Sequence, residues 1–313
     1  MPFSFQPKDF IETPEGLAFA VVLSACEQGR ILSQLRYRRE HGQWHKLTSE
    51  QADQLLRAYH PNYRYYSVTH DVLLHGVPVT RLQHHYQPRA RLQALLQSAA
   101  RDAVHEDLKQ LAQRLQRREL DLRHWGITGS LLIGAQQASS DIDLVSYDRR
   151  QFQHARQLLH DMIANGEITA LSAQDWQVAY QRRGCDLTFD EYYWHERRKA
   201  NKGLINGRKF DLSLIDESPY ANSQSVYRKQ GRRVLRARVT DARFAYDHPA
   251  VYYLDHPTIM LCACYTATYV GQAETGEIVE IAGLVEHGTH GARIIVGSSR
   301  EARGEYLRVI SNA

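Results

Sequence analysis

Two aspartates alternate with large apolar residues near the middle of the chain. The segment reads Asp141-Ile142-Asp143-Leu144. In a β-strand, residues i and i+2 point to the same side of the sheet. The pattern therefore predicts a strand that directs Ile142 and Leu144 into a core and both carboxylates to the opposite face. Two carboxylates this close repel each other unless a cation lies between them, and Mg²⁺ is a cation that prefers oxygen ligands.

Two further elements flank this strand along the chain. Gly129-Ser130 predicts a turn about ten residues upstream, whose backbone N–H groups and hydroxyl are suited to binding a phosphate. Asp211 alternates with Phe210 and Leu212 in a later strand. If that strand lies beside the first, three carboxylates converge, which is an arrangement suited to two-metal phosphoryl transfer.

The order of these elements resembles that of the nucleotidyltransferase superfamily that includes DNA polymerase beta. The resemblance covers about 90 residues: a Gly-Ser turn, a spacer that ends at Ser140, an Asp-x-Asp strand and a distal third acid. It implies transfer of a nucleoside monophosphate from an NTP with two Mg²⁺ ions. By the same resemblance, Asp141 and Asp143 bind both ions, Asp211 joins them at the ion nearer the nucleophile, and the Gly-Ser turn with Ser140 binds the triphosphate.

The whole chain is also similar to a group of predicted nucleotidyltransferases of archaea and bacteria. The similarity includes residues 194–198 (WHERR) and 297–304 (GSSREARG). Many members of the superfamily carry an Arg or Lys shortly after the Gly-Ser pair, whereas residues 131–135 (LLIGA) are apolar here. A basic group from elsewhere in the chain would have to take over that contact with the triphosphate.

A basic cluster precedes the third acid along the chain. Its members are Arg197, Arg198, Lys199, Lys202, Arg208 and Lys209. Arg197, Arg198 and Lys209 are predicted to bind the nucleotide, and the alternative is a solvated helix and turn. His195 lies at the start of this cluster, and we expect it to contact substrate or cap a helix rather than act as a base.

A second basic run follows further along the chain, in a stretch without acids from 228 to 240. Its predicted nucleic-acid contacts are Arg228, Lys229, Arg232, Arg236 and Arg238. Arg236 and Arg238 share one face of a predicted strand, opposite Ala237 and Val239. One interpretation is an RNA-binding stripe; the other is an edge strand whose arginines prevent aggregation.

The changes of pattern along the chain predict an α+β protein with three domains. Residues 1–88 form a mixed α/β domain. Residues 89–218 form the nucleotidyltransferase domain, a central mixed sheet with helices that begins with one long amphipathic helix from 89 to about 120. Residues 219–313 form a β-rich domain, either a small OB-like barrel or a sandwich. Residues 297–306 predict a helix, either with a phosphate-binding turn at its start or simply capped.

Composition narrows the class of protein only broadly. The chain has 313 residues and a formal net charge of +4. Its apolar runs are far shorter than the ~20 residues of a membrane-spanning helix, so no membrane association is expected. No secretory signal is recognised, and the four cysteines form no CxxC pair. These features predict a cytoplasmic protein without disulfides.

The sequence therefore predicts a Mg²⁺-dependent nucleotidyltransferase that moves an NMP from an NTP to a hydroxyl acceptor and releases pyrophosphate. RNA, such as a tRNA-like end, is the favoured acceptor because of the two basic runs. A protein or a small molecule is an alternative acceptor. A non-catalytic nucleotide- or RNA-binding module is the alternative of a different class.

Overall fold

Three β-sheets and seven α-helices make up the part of the chain that the computed structural model describes, residues 4–216, 226–289, 291–299 and 302–310. This confirms the α+β class predicted from the sequence. None of the helices in these ranges has the length and apolar character needed to cross a membrane.

Seven strands near the N-terminus form the first sheet, which packs against one helix. The strands are β1 (Phe10–Glu12), β2 (Leu17–Glu27), β3 (Arg30–Glu40), β4 (Gln43–Lys46), β5 (Arg64–Ser67), β6 (Val72–Pro78) and β7 (His84–Tyr86). Their order is β5-β6-β3-β2-β1-β7, and β4 pairs with β3. The helix α1 (Ser49–Tyr59) buries Ala52 and Leu56 in the core of this sheet.

The prediction of a single long helix from residue 89 to about 120 is wrong. The structure has two helices, α2 (Pro88–Gln97) and α3 (Ala103–Arg117). The side chain of Asp102 accepts a hydrogen bond from the backbone N–H of His105 and so caps the start of α3. The apolar residues keep helical spacing on both sides of the break, and this is why periodicity alone did not reveal it.

The second sheet has four strands and carries the predicted acids. Its strands, with the helices that follow them, are β8 (Trp125–Thr128), α4 (Ser130–Ile133), β9 (Ile142–Ser146), α5 (Arg149–Ala164), β10 (Lys202–Ile205) and β11 (Arg208–Leu214). The strand order is β10-β11-β9-β8. Only β9 and β11 run parallel; the other neighbours are antiparallel. The sheet is therefore mixed, as predicted.

The third sheet is formed by six strands from the C-terminal part of the chain. They are β12 (Arg228–Phe244), β13 (Ala250–Asp255), β14 (Ile259–Cys264), β15 (Ile278–Gly288), β16 (Gly291–Val296) and β17 (Tyr306–Val309). β12 is long enough to pair with both β13 and β15, so the strands β12-β13-β14-β16-β15 close into a ring. Within it, β14 and β16 are parallel. β17 pairs with β15 beyond the end of β16.

The described residues divide into two compact units. The first contains residues 4–66, 73–170 and 201–216, and therefore the first and second sheets. The second contains residues 67–72, 171–200 and the described residues from 226 onward. Besides the third sheet, it includes α6 (Ala173–Arg183) and α7 (Phe189–Arg198).

Candidate functional site

The parallel pairing of β9 and β11 brings the predicted acids together in the first unit. Asp143 lies directly opposite Asp211 in the register, and Asp141 precedes β9 by one residue. The intervening apolar side chains of both strands are buried; these are Ile142, Leu144, Phe210 and Leu212. Because alternate residues point to opposite faces, the core fixes the face on which the carboxylates lie.

The turn at Gly129 closes one side of this acid cluster, which we define as Asp141, Asp143 and Asp211. Gly129 has a positive φ of 67°, and a Cβ atom added there would lie 2.5 Å from Oδ2 of Asp143. Only glycine permits both this backbone conformation and this close approach. Ser130 begins the short helix α4 immediately afterwards.

The apolar segment after Ser130 has a packing role. Leu131, Leu132 and Ile133 are all buried. Leu132 and Ile133 belong to a core cluster with Tyr37 of β3. An Arg or Lys at these positions would place its charge in the apolar core. The packing of α4 therefore explains why no basic residue follows the Gly-Ser pair.

The electrostatics of the acid cluster combine like charges with one bridging lysine. Burial, together with the charges of Asp211 and Asp141, raises the pKa of Asp143 to about 6. The ammonium of Lys209 lies 3.2 Å from Oδ2 of Asp211 and 3.6 Å from Oδ2 of Asp141. Among the described residues, no three His, Cys, Asp or Glu side chains are close enough as they stand to hold a metal ion.

The spacer before the Asp-x-Asp strand is fixed by Ser140 and Arg208. The hydroxyl of Ser140, predicted to bind nucleotide, accepts a hydrogen bond from the backbone N–H of Gln137. The guanidinium of Arg208 donates to the carbonyls of Ala138 and Ser140 at 2.6 and 2.9 Å. It also forms a 2.7 Å ion pair with Asp107 of α3. Arg208 therefore anchors the segment that leads into Asp141.

The segment before β1 and the strand β3 contribute charged residues to the site that the sequence did not reveal. The hydroxyl of Thr128, opposite Asp143 in the register, donates to the carbonyl of Lys8 at 2.7 Å. The charge of Lys8 lowers the pKa of Asp143, against the larger effect of burial. Arg36 of β3 also interacts electrostatically with Asp143. No local motif marks either residue, since about a hundred residues separate both from Asp143 in the chain.

Both predicted nucleotide-binding arginines, Arg197 and Arg198, lie on α7 in the second unit. Arg198 forms ion pairs with Glu277 at 2.7 Å and with Glu274 at 3.4 Å. Its guanidinium also lies 4.5 Å from the ring centre of Trp194. Arg197 lies over the ring of Tyr193, at 5.3 Å. Both arginines therefore have partners within their own unit.

His195, Glu196 and Lys199, defined here as the lysine cluster, are buried in the second unit. Lys199 donates to Glu196 at 2.6 Å and to the carbonyl of Thr268 at 2.7 Å. Nδ1 of His195 donates to the carbonyl of Gln272, and its Nε2 accepts from the backbone N–H of Val309. Burial and the charges of Lys199 and Arg198 lower the pKa of His195 to about 3.

The expected roles of His195 and Lys199 are therefore corrected. His195 does not cap a helix; it is a neutral side chain whose two hydrogen bonds join α7 to the loop at Gln272 and to β17 of the third sheet. Lys199 is 1% exposed, so it does not belong to a solvated basic surface.

The second basic run lies on β12, and its predicted alternation is confirmed. Ala237 and Val239 are buried, whereas Arg236 and Arg238 are exposed. Each predicted nucleic-acid contact also has a partner within the second unit. Four are side-chain contacts, Arg228 to Val68 O, Arg232 to Arg303 O, Arg236 to Glu280 and Arg238 to Gly276 O, and the fifth is the backbone N–H of Lys229 to Asp71.

The prediction of a helix at residues 297–306 is wrong for the described residues, because 297–299 and 302–305 lie in no helix and β17 begins at Tyr306. The backbone N–H groups of Gly297 and Ser298 donate to the carboxylate of Glu305 at 2.7 and 2.9 Å. The turn does bind an anion, but that anion is a carboxylate of the same chain.

A comparison with known proteins identifies one family. The chain is 30% identical to the uncharacterized protein MJ1086 of Methanocaldococcus jannaschii over 333 residues, which covers 96% of this chain and 98% of that protein. The chain therefore belongs to the family of this archaeal protein. No protein-family model matches the chain, and no solved structure gives a significant match.

Proposed function

We propose that the protein is a Mg²⁺-dependent nucleotidyltransferase that moves an NMP from an NTP to a hydroxyl acceptor. One observation carries the proposal: Asp143 and Asp211 are direct neighbours on parallel strands, with Asp141 two residues before Asp143 and the Gly129 turn against its carboxylate. A core on the opposite face fixes this grouping. It is the grouping expected from the resemblance to the polymerase beta superfamily.

The chemistry of the donor set supports a divalent metal. The three side chains of the acid cluster offer only carboxylate oxygens, which are the ligands that Mg²⁺ prefers. Burial raises the pKa of Asp143, and the charges of Asp211 and Asp141 raise it further, so a bound cation would favour the ionised carboxylate. The ammonium of Lys209 lies between Asp141 and Asp211, where a cation satisfies both. We infer that two Mg²⁺ ions bind to these three acids together with the phosphates of the substrate.

In the proposed reaction, the acceptor oxygen forms a bond to the α-phosphorus of the NTP. The bond from that phosphorus to the oxygen bridging to the β-phosphate breaks, and pyrophosphate leaves with the electron pair. Asp211 orients the acceptor hydroxyl and accepts its proton. Bound Mg²⁺ supplies charge neutralisation at the phosphates. The Gly129 turn presents backbone N–H groups to the triphosphate.

An RNA acceptor is favoured by the second unit. In the ring, the strands follow the order first, second, third, fifth, fourth, with the third and fifth parallel. This order supports an OB-like barrel, a fold that often binds oligonucleotides. Arg232, Arg236 and Arg238 lie exposed on its first strand, where they are accessible to a phosphate backbone.

The experiment is transfer of label from α-³²P-NTPs to total cellular RNA in the presence of Mg²⁺. We expect the double variant D141N/D143N to reduce labelling by at least about 1000-fold, because the metal ligands are lost. A double variant of two acids outside the cluster, D161N/D190N, is the matched control and should retain activity.

Three results would separate the alternatives. Unchanged labelling by D141N/D143N would refute the mechanism. Nucleotide binding by the wild-type protein without Mg²⁺ and without pyrophosphate release would favour a non-catalytic binding module. If label appears only in a protein or in a small molecule, that class of molecule, and not RNA, is the acceptor.

A further inference from the structure

The helix after the Gly-Ser turn supplies no cation, so the charge of a bound triphosphate has to be met from another element. Leu131, Leu132 and Ile133 are fully committed to the core. Lys209 is engaged with Asp211 and Asp141. A triphosphate bound next to three carboxylates therefore needs a positively charged side chain from an element other than α4 and β11.

The first sheet packs against α4 and is therefore a candidate source of that charge. Tyr37 of β3 packs in one core cluster with Leu132 and Ile133 of α4. A second contact joins the end of β8 to the segment before β1: the hydroxyl of Thr128 donates a hydrogen bond to the carbonyl of Lys8. Two independent contacts thus hold the first sheet against the end of β8 and the turn that follows it.

Arg36, the neighbour of Tyr37, is the extra residue of a β-bulge between β2 and β3. A bulge breaks the regular alternation of side chains along a strand, and Arg36 interacts electrostatically with Asp143 of the acid cluster. Its side chain is half-buried, and burial lowers its pKa while the charges of Tyr37 and Asp143 raise it. Among the described residues, the guanidinium makes no hydrogen bond and no ion pair within 4 Å. Its nitrogens are not among the fully buried side-chain atoms, so the guanidinium remains open to a ligand. Arg38, on the same strand, is instead exposed and pairs with Glu40 at 3.1 Å.

We propose that Arg36 binds the phosphates of the nucleoside triphosphate, with Lys8 beside it, and so replaces the basic residue missing after the Gly-Ser turn. The inference rests on the proposed function and adds the residues that recognise the triphosphate. Three carboxylates, a fully ionised triphosphate and two Mg²⁺ ions carry a net charge of about −3. Lys8, Arg36 and Lys209 together bring this charge close to zero. The planar guanidinium also suits bidentate contact with a phosphate.

The test compares binding of triphosphates and monophosphates by calorimetry. The ligands are the α,β-methylene analogues of the four ribonucleoside triphosphates and the matching monophosphates, each with Mg²⁺. We expect R36Q to weaken triphosphate binding by about 10- to 100-fold and monophosphate binding by less than about threefold. R36K should recover part of the loss, and R38Q, the matched control on the same strand, should bind like the wild type.

Two outcomes would overturn the assignment of Arg36. One is wild-type affinity of R36Q for the triphosphate analogue. The other is equal weakening for triphosphate and monophosphate, which would indicate that Arg36 only maintains the structure around Asp143. If the wild-type protein binds no triphosphate analogue in the presence of Mg²⁺, the proposed function fails together with this inference.

A second measurement needs no variant and applies even if R36Q does not fold. Phenylglyoxal modifies arginine side chains, and peptide mass spectrometry locates the products in the native wild-type protein. We expect the Mg²⁺-bound triphosphate analogue to slow modification of Arg36 at least about fivefold, and modification of Arg38 to stay unchanged. Equal rates at Arg36 with and without the analogue would refute direct contact.

Discussion

The acid cluster of the first unit and the lysine cluster of the second unit are both sets of ionisable side chains that lie close together. The residues of the lysine cluster are buried, whereas the three acids are partly buried. In the lysine cluster, opposite charges meet: Lys199 pairs with Glu196 and also donates to a backbone carbonyl. In the acid cluster, three like charges face one another, with Lys209 as the cation between two of them. The pKa of Asp143 is accordingly raised to about 6.

We infer from this difference that the lysine cluster has a structural role, whereas the acid cluster is suited to the cation binding proposed for it. Buried polar groups that satisfy one another stabilise a single packing and leave nothing for a ligand to neutralise. Buried groups of like charge cost folding free energy, and a cation recovers that cost when it binds. Both clusters place ionisable side chains at partly or fully buried positions. The sign of the neighbouring charge distinguishes them.

The largest expected effect on stability concerns Lys199. K199M removes the ammonium that neutralises the buried carboxylate of Glu196, so we expect the free energy of unfolding to fall by about 3–5 kcal/mol. Denaturant unfolding measures this. The double variant K199M/E196M should be more stable than K199M, because it also removes the carboxylate charge that Lys199 neutralised.

The matched variant in the acid cluster is K209M. The side chains of Asp141 and Asp211 are 29% and 22% exposed, so water or a proton compensates in part and the loss should be only about 1 kcal/mol. Equal losses for K199M and K209M would contradict the distinction between the two clusters.

The next effect has the opposite sign. D143N removes a carboxylate that is ionised at pH 8 only at the cost of burial and repulsion. Since the folded pKa of about 6 lies above the ordinary 3.8, the wild type loses stability as the pH rises through 6. We expect D143N to stabilise the metal-free protein at pH 8 by up to about 3 kcal/mol while abolishing transfer. A destabilised D143N at this pH would show that the carboxylate serves the fold.

The last effect is a pH dependence in the second unit. The pKa of His195 is lowered to about 3 from 6.5, so the unfolded chain binds the extra proton and stability falls as the pH drops below 6.5. This group contributes a slope of about 1.4 kcal/mol per pH unit between the two pKa values. H195Q should lose that slope, whereas H160Q, which changes an exposed histidine on α5, should retain it. Unfolding midpoints between pH 4.5 and 7 that run parallel in wild type and H195Q would disprove the assignment.

Local patterns in the sequence predicted the elements that present the site. Alternation placed Ile142 and Leu144 in the core, and the structure confirms it. It also placed Asp211 on a strand between two buried residues. The same reasoning failed for the break between α2 and α3 and for β17, because neither a helix break without Pro or Gly nor a short edge strand has a strong local signature.

The sequence by itself determined which residues lie on a common face, since that follows from the backbone period of two in a strand. It also contains a glycine and three acids in the order on which the resemblance to the polymerase beta superfamily rests. Only the tertiary structure decided that β9 and β11 are neighbours in a register that sets Asp143 beside Asp211. It also decided that Lys199 is buried and that Lys8 and Arg36 interact electrostatically with Asp143. Long-range pairing decides these points, because the free energy of burying side chains against distant segments depends on the whole fold and leaves no local pattern.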